Sequence, residues 1–321
     1  MTATAWGGAC TGGLLPVMGG YCDAPWAREI EKLPPNVNYV FTPERNDANI
    51  GSDFGKKETA GKKEEFPYLM AELGGGLQPT KHRRPVASAA DIGAMSLVKL
   101  GCGANLLGYY MYHGGSNPEG RNTTLQETKK TGSWNELPAY NYDFQAPVGE
   151  YGQVRESCRE IKLLSMFLHD FGSGLCTMKP EFPSPVMDDA GNLETLRTCV
   201  RHNGERGYLF VNNYQRLYPM KEHRNAVLHA KIGTNELYYP ARDIRNGDYF
   251  FYPFNMPIGE SAEIVTALAT PLCILHRRNE KIYVFYSDTE PMYRIKGDLG
   301  RNKIVTLSRR EALDAWKVEI N

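Results

Sequence analysis

The sequence predicts an α/β segment followed by an all-β, antiparallel segment, on three observations. Strand-like and helix-like stretches alternate up to about residue 170, the pattern of a parallel sheet. After Gly172 the texture changes, and Pro180, Pro183 and Pro185 mark a linker. Beyond it come short alternating runs of strand length, with Asn203-Gly204 as a hairpin turn signal. The expected division is 1–175 and 176–321, and a chain of 321 residues is long enough for two cores.

Taken in order, Thr2 to Trp6 alternate like a strand, and Leu14 to Val17 form a short apolar piece. Asp23 is placed as an N-cap, with Pro25 in the first turn of a helix reaching about Lys32. Pro34-Pro35 ends that helix. Val37 to Phe41 reads as a strand, with Glu44 following its tip, and Lys56 to Glu65 as a solvated loop. Tyr68 to Glu72 is the next strand. Ser88-x-x-Asp91 is a capping box that opens a helix burying Ile92, Met95 and Val98 and stopping at Gly101. Leu106 to Tyr112 is the fourth strand, closed by His113-Gly114-Gly115-Ser116-Asn117-Pro118. A polar loop then leads to a helix with Val154, Cys158, Ile161, Ser165 and Leu168 on one face. In the second half strands are expected at 195–201, 208–212, 226–232, 249–254, 263–267, 272–276, 281–287 and 303–307. A final strand or helix is expected at Ala312 to Lys317.

The stretch with most chemical promise is Pro67-Tyr-Leu-Met-Ala-Glu72-Leu-Gly-Gly-Gly76. A short apolar run bounded by Pro and Gly fits a strand buried on both faces. Glu72 then sits at its C-terminal tip, before three glycines that permit a sharp turn or a close approach. α/β barrels keep their chemistry at such tips; a capping or ion-paired glutamate would look the same. Lys81-His82-Arg83-Arg84 could hold an anion or pair with nearby acids.

Composition narrows the function classes. Lys plus Arg and Asp plus Glu number 37 each, so the net charge is zero and no general nucleic-acid surface is expected. No apolar run of membrane-spanning length occurs, so no membrane partner is expected. Seven cysteines stand at 10, 22, 102, 158, 176, 199 and 273, an odd count without C-x-x-C spacing. That is neither a disulfide framework nor a zinc site, and it fits a reducing compartment. Asn122-Thr-Thr124 is a glycosylation sequon that would matter only on a secretory route. Any secretion signal would lie upstream of Met1, so localisation stays open.

Several motifs, in this order, resemble glycoside hydrolase family 35, the retaining β-galactosidases. They are Gly19-Gly-Tyr-Cys-Asp-Ala-Pro-Trp26, Met70-Ala-Glu72-Leu-Gly-Gly-Gly76, Gly108-Tyr-Tyr-Met-Tyr-His-Gly-Gly-Ser-Asn117-Pro118 and Tyr140-Asn-Tyr142-Asp-Phe-Gln-Ala-Pro147. Thr2-Ala-Thr-Ala-Trp6-Gly-Gly, Gly207-Tyr-Leu-Phe-Val-Asn-Asn213-Tyr and Tyr249-Phe-Phe-Tyr-Pro-Phe-Asn255 extend the likeness over nearly the whole chain. The resemblance implies strands five to eight of a (β/α)8 TIM barrel followed by an antiparallel β domain. It makes Glu72 the nucleophile, Tyr110 and Tyr142 cleft tyrosines at the sugar subsite, and Trp6 an aromatic wall. The implied reaction is removal of terminal β-galactosyl residues from oligosaccharides by double displacement, with no metal or organic cofactor.

One expected part is missing. The family's acid/base lies in an Asn-Glu motif after strand four, and no Asn-Glu before Glu72 matches it. Asn135-Glu136, Asn235-Glu236 and Asn279-Glu280 lie far downstream. A retaining glycosidase needs two carboxyl groups, so the chain is expected to be inactive alone, as a C-terminal piece of such an enzyme. The alternatives are a non-catalytic carbohydrate-binding or scaffold remnant, and a β-glucosaminidase of the same family.

Overall fold

The computed structural model describes residues 4–6, 15–25, 27, 32–45, 66–118, 120–122, 140–277 and 280–313. It is rich in sheet, with three helices among the described residues. The first half is built on four parallel strands. These are β1 (Thr4–Trp6), β2 (Leu15–Gly20), β3 (Leu69–Leu73) and β4 (Leu106–Tyr109), hydrogen-bonded in the order β1-β2-β3-β4. Two short strands, β5 (Gly115–Ser116) and β6 (Asn141–Tyr142), form a separate antiparallel ribbon beyond β4.

Helix α1 (Ala89–Gly101) begins at the predicted capping box. Ser88 Oγ accepts from the Asp91 amide at 3.1 Å, and the Asp91 carboxylate accepts from the Ser88 amide at 2.7 Å. Helix α2 (Glu156–Leu175) follows. Side chains of both helices share one apolar cluster with Met70 and Leu73 of β3, so they cover one face of the sheet. The opposite face carries Ala71 and Leu106, both exposed. Strand alternation explains the split, because Leu107 and Tyr109 turn toward the helices while Leu106 turns away.

The second half is antiparallel. Its strands are β7 (Lys179–Glu181), β8 (Arg197–His202), β9 (Gly207–Asn212), β10 (His223–Ala226), β11 (His229–Ile232), β12 (Asn235–Tyr238), β13 (Arg242–Ile244), β14 (Tyr249–Ile258), β15 (Ala262–Ala267), β16 (Thr270–Arg277), β17 (Glu280–Tyr286) and β18 (Tyr293–Gly297). Six form one sheet in the order β18-β15-β14-β9-β8-β7. The Asn203-Gly204 turn joins β8 to β9, with Gly204 at φ +95, a conformation that favours glycine. The exposed helix α3 (Arg309–Leu313) closes the described chain.

Several local expectations are corrected. Val37–Tyr39 is a 3-10 turn, not a strand, and its place in the sheet is taken by Leu15–Gly20. The turn is held because the Asn36 and Asn38 side-chain amides both donate to the Tyr21 carbonyl, at 2.8 and 3.0 Å. Asp23 is buried and paired with Arg83 at 2.6 Å and Arg216 at 3.1 Å. Most of the helix expected after it, and the 56–65 loop, lie outside the described residues. Residues 303–307 are exposed and form no strand, and the last strand among the described residues is β18. The segment expected at 226–232 splits into β10 and β11. The terminal element begins as α3, and its residues beyond Leu313 lie outside the described set.

The expected division near residue 175 falls between α2 and β7, yet the core crosses it. One cluster contains Met18, Met70, Met95, Phe167, Cys199, Phe210 and Phe251. Buried arginines stitch the same seam. Arg201, on β8, donates to the Leu100, Ala104, Leu175 and Met178 carbonyls at 2.8–3.2 Å. These lie at the C-terminal ends of α1 and α2, where unpaired carbonyls and the helix dipole favour a cation.

Candidate active site at the sheet's C-terminal edge

Parallel pairing places the ends of three strands together. Gly19 lies level with Glu72, and Gly20 with Leu73, across β2 and β3. Leu73 lies level with Tyr109 across β3 and β4, and the Tyr110 amide donates to the Leu73 carbonyl at 2.9 Å. The residues just past these ends are therefore neighbours: Tyr21 after β2, Glu72 at the end of β3, and Tyr110 after β4.

The Tyr21 hydroxyl donates to Glu72 Oε1 at 3.0 Å. Partial burial raises the Glu72 carboxyl above its ordinary range, and the Tyr21 hydrogen bond pulls it back. Burial, then the nearby Glu72 charge, pushes the Tyr21 phenol well up, so it stays a donor at neutral pH. Tyr110 is shifted upward too, first by burial and then by its hydrogen bond to Tyr142. The Tyr110 and Tyr142 hydroxyls are in direct contact, and their rings meet edge to face with centroids 6.4 Å apart. Tyr142 also stacks on Phe144 at 4.2 Å.

The three glycines serve close approach rather than unusual torsion angles, since none has positive φ. A Cβ on Gly74 would lie 2.7 Å from the Tyr21 ring. One on Gly75 would run into the Met111 carbonyl, and one on Gly76 into the backbone of Phe144 and Gln145. Gly74 thus leaves room for Tyr21, and Gly76 admits the loop that carries Phe144. Gly76→Ala is expected to cost at least about 1–3 kcal/mol, the typical range for overpacking, because both contacts are backbone and cannot rotate away. A urea-unfolding midpoint equal to that of the parent would refute this.

The β5–β6 ribbon that holds Tyr142 is pinned in turn. Asp143 pairs with Arg155 at 2.7 Å, and its other oxygen accepts from the Glu150 amide at 2.7 Å. Gln145 donates to the Leu77 and Pro85 carbonyls at 3.1 and 2.9 Å, tying the loop to the segment after the glycines. Behind the site, Arg216 from the second half bridges Asp23 at 3.1 Å and Asp91 at 2.5 Å, and Tyr214 donates to Asp91 at 2.6 Å.

The sequence-predicted residues Glu72, Tyr110 and Tyr142 therefore meet at one edge. Trp6 lies in β1, level with Val17; its side chain lies outside the described residues. Glu44 does not follow a strand tip: it is exposed, and its carboxylate accepts from the Arg45 amide at 3.0 Å. Within the basic cluster, Arg83 is spent on Asp23. The sequon Asn122-Thr-Thr124 extends outside the described residues. Tyr21 is the site residue that sequence reading missed. Its signal would have been the Gly19-Gly20 step at the end of β2, had that strand been recognised.

Other features of the described residues are less suited to chemistry. A cavity of about 340 Å³ in the second half is lined by Arg242, Asp248 and Asp288. Arg242 is already paired there, at 3.0 Å to Asp288 and 3.5 Å to Asp248, and it lies over the Phe250 ring. That makes it a structural ion pair on an aromatic floor. Among the described residues, no group of three or more His, Cys, Asp or Glu could hold a metal ion. No described helix is long and apolar enough to cross a membrane. No family model matches the chain, and no curated protein matches it significantly.

Proposed function

We propose that the chain carries the nucleophile half of a retaining glycosidase site acting on terminal β-galactosides. The observation that carries this reading is Glu72, a half-buried carboxylate at the C-terminal end of a parallel strand, bonded to the Tyr21 phenol and neighboured by Tyr110 and Tyr142. Catalytic carboxylates in parallel α/β folds occupy such strand ends. The four strands run in consecutive order with both helices against one face, the winding of a barrel rather than of a doubly wound sheet, in which the order reverses. We read them as half of a (β/α)8 barrel, whose other half would cover Ala71 and Leu106.

The chemistry follows from the geometry. Tyr21 holds Oε1 and favours the ionised carboxylate, leaving Oε2 to attack the anomeric carbon. The C1–O bond then breaks, and its electron pair leaves with the aglycone oxygen, which needs a proton from a second carboxyl group. No Asn-Glu motif before Glu72 supplies that acid. Water would later release the sugar from the Glu72 ester, once a base removes its proton. Lacking the acid, the chain alone is expected to hydrolyse an unactivated disaccharide at least about 10²–10⁴-fold more slowly than a complete enzyme.

A 2-deoxy-2-fluoro-β-galactosyl fluoride separates the two roles. Fluoride leaves without protonation, so attack by Glu72 needs no acid, and the expected product is a stable glycosyl ester on Glu72, read by peptide mass spectrometry. Glu72→Gln should carry no adduct. Labelling should rise with pH through a midpoint above the ordinary glutamate value of about 4.3, because burial holds the proton on Glu72. Tyr21→Phe removes the bond that favours the charged form. It should move that midpoint higher still and slow labelling roughly tenfold or more, as expected for a hydrogen bond to a charged group. An adduct on another residue, or none at saturating reagent, would sink the reading.

A further inference from the structure

Tyr21 is tethered on both sides. The Gly20 carbonyl accepts from the Gly74 amide at 2.8 Å, and the Tyr21 ring packs where a Cβ on Gly74 would sit. The Tyr21 carbonyl accepts from the side-chain amides of both Asn36 and Asn38. A buried carbonyl needs only one partner. Two donors occupy both of its lone pairs and fix the peptide plane that follows Tyr21. The asparagines are themselves coupled, since Asn36 Oδ1 accepts from the Asn38 amide at 2.8 Å, and both are buried.

The turn that carries them is gripped from the second half. Gln215 donates to the Asn36 carbonyl at 3.3 Å. At the other end of the turn, the Tyr39 carbonyl accepts from Asn212 at 2.6 Å and from Arg197 at 3.1 Å. Arg197 also donates to Gln215 Oε1 at 2.8 Å, so the grip is one network. Arg197, Asn212 and Gln215 are all buried. A line of bonded residues therefore runs from β8 and β9, through the 36–39 turn, to Tyr21 and Glu72.

We propose that Asn36 and Asn38 are positioning residues for the Tyr21–Glu72 pair, and that the second half of the chain holds the reacting carboxylate in place through them. This rests on the glycosidase reading above. The Tyr21 phenol can donate to Glu72 only while the Tyr21 backbone keeps its place, and the asparagines fix that backbone. Among the described residues, the titratable groups that interact with Glu72 are Tyr21 and Tyr110, with Tyr142 bonded to Tyr110. Neither asparagine carries a charge, so a change they cause at Glu72 has to come through geometry. Residues that merely formed the turn would weaken the fold when lost and leave the titration of Glu72 alone.

The test is a pH titration of the 321-residue chain, labelled with carbon-13 glutamate and read by NMR at the Glu72 carboxyl carbon. Glu72→Gln assigns the signal. Tyr21→Phe should raise the midpoint, because the Tyr21 bond favours the charged carboxylate. Asn36→Ser keeps a capping oxygen, so the turn should still form, but serine is too short to reach the Tyr21 carbonyl. It and Asn38→Ala should each raise the midpoint, by roughly half the Tyr21→Phe shift or more. Gln215→Met should raise it by less. Combined with Tyr21→Phe, Asn36→Ser should shift it no further, since both act on one bond. A cooperatively folded asparagine variant with the parent midpoint would overturn the proposal, and so would a shift that adds in full to that of Tyr21→Phe. An unshifted Gln215→Met chain would overturn the role of the second half. The titration uses no sugar, so it can fail while the fluoride still labels Glu72, and it can succeed where no adduct forms.

Discussion

Arg201→Met is expected to destabilise the chain by about 3–5 kcal/mol, the scale for breaking a buried charged network. Arg201 is 1% exposed. Its partners are four carbonyls and no carboxylate, so burial lowers its pKa to about 10. The charge is tolerated because the ends of α1 and α2 converge on it. Methionine matches much of the volume but leaves the Leu100, Ala104, Leu175 and Met178 carbonyls without this donor, at about 1–3 kcal/mol for each one left unsatisfied. Lysine should fail nearly as badly, because a point charge cannot span the same fork. Urea unfolding measures both variants, and a loss under about 1 kcal/mol for Arg201→Met would refute the assignment.

Arg216→Met should cost a similar amount, for a different reason. Asp23 and Asp91 are each 1% exposed and share this guanidinium across the seam between the halves. Removing it strands Asp91 and takes one of two cationic partners from Asp23, a loss of about 3–5 kcal/mol for a broken buried pair. Arg83 still neutralises Asp23, so the greater damage should fall at Asp91, which then keeps Tyr214 and the Ser88 cap. The loss also loosens the turn that carries Tyr21, two residues before Asp23. Hydrogen exchange should therefore speed up at the Asp91 end of α1 and around residues 21–24 before it does in β14. Uniform acceleration across the chain would show a global loss without this local origin.

Much of the layout was legible in the sequence, for physical reasons. The Ser88 capping box and the Asn203-Gly204 turn are local codes, and each formed where expected. The stripe of α2 was read askew: Val154 precedes the helix and is exposed, Ser165 is exposed, and Phe167 is buried instead. β3 and β4 also stand out, as short apolar runs ended by glycine or by a polar loop. β2 was harder to read. Leu15-Pro16-Val17 carries a proline that argues against a sheet interior, and Gly19-Gly20 has no side chains to show alternation. Val37 to Phe41 looks more like a strand, but two asparagine amides reaching the Tyr21 carbonyl turn it into a 3-10 segment. Misplacing that strand hid Tyr21, whose role depends wholly on following the end of β2 beside the end of β3. The arginines at 201 and 216 were equally unreadable, since their acceptors come from residues some 25 to 190 positions away.

The core that crosses the division near residue 175 bears on how the chain acquires its structure. During synthesis the parallel strands and both helices emerge first, yet their cluster is completed by Tyr208, Phe210 and Phe251. Until those residues leave the ribosome, the apolar cluster that α1 and α2 share with the parallel strands stays open where Tyr208, Phe210 and Phe251 close it. Such long-range closure slows folding and prolongs the exposure of apolar surface. Chains truncated between residues 175 and 250 should accordingly be chaperone clients rather than half-size domains.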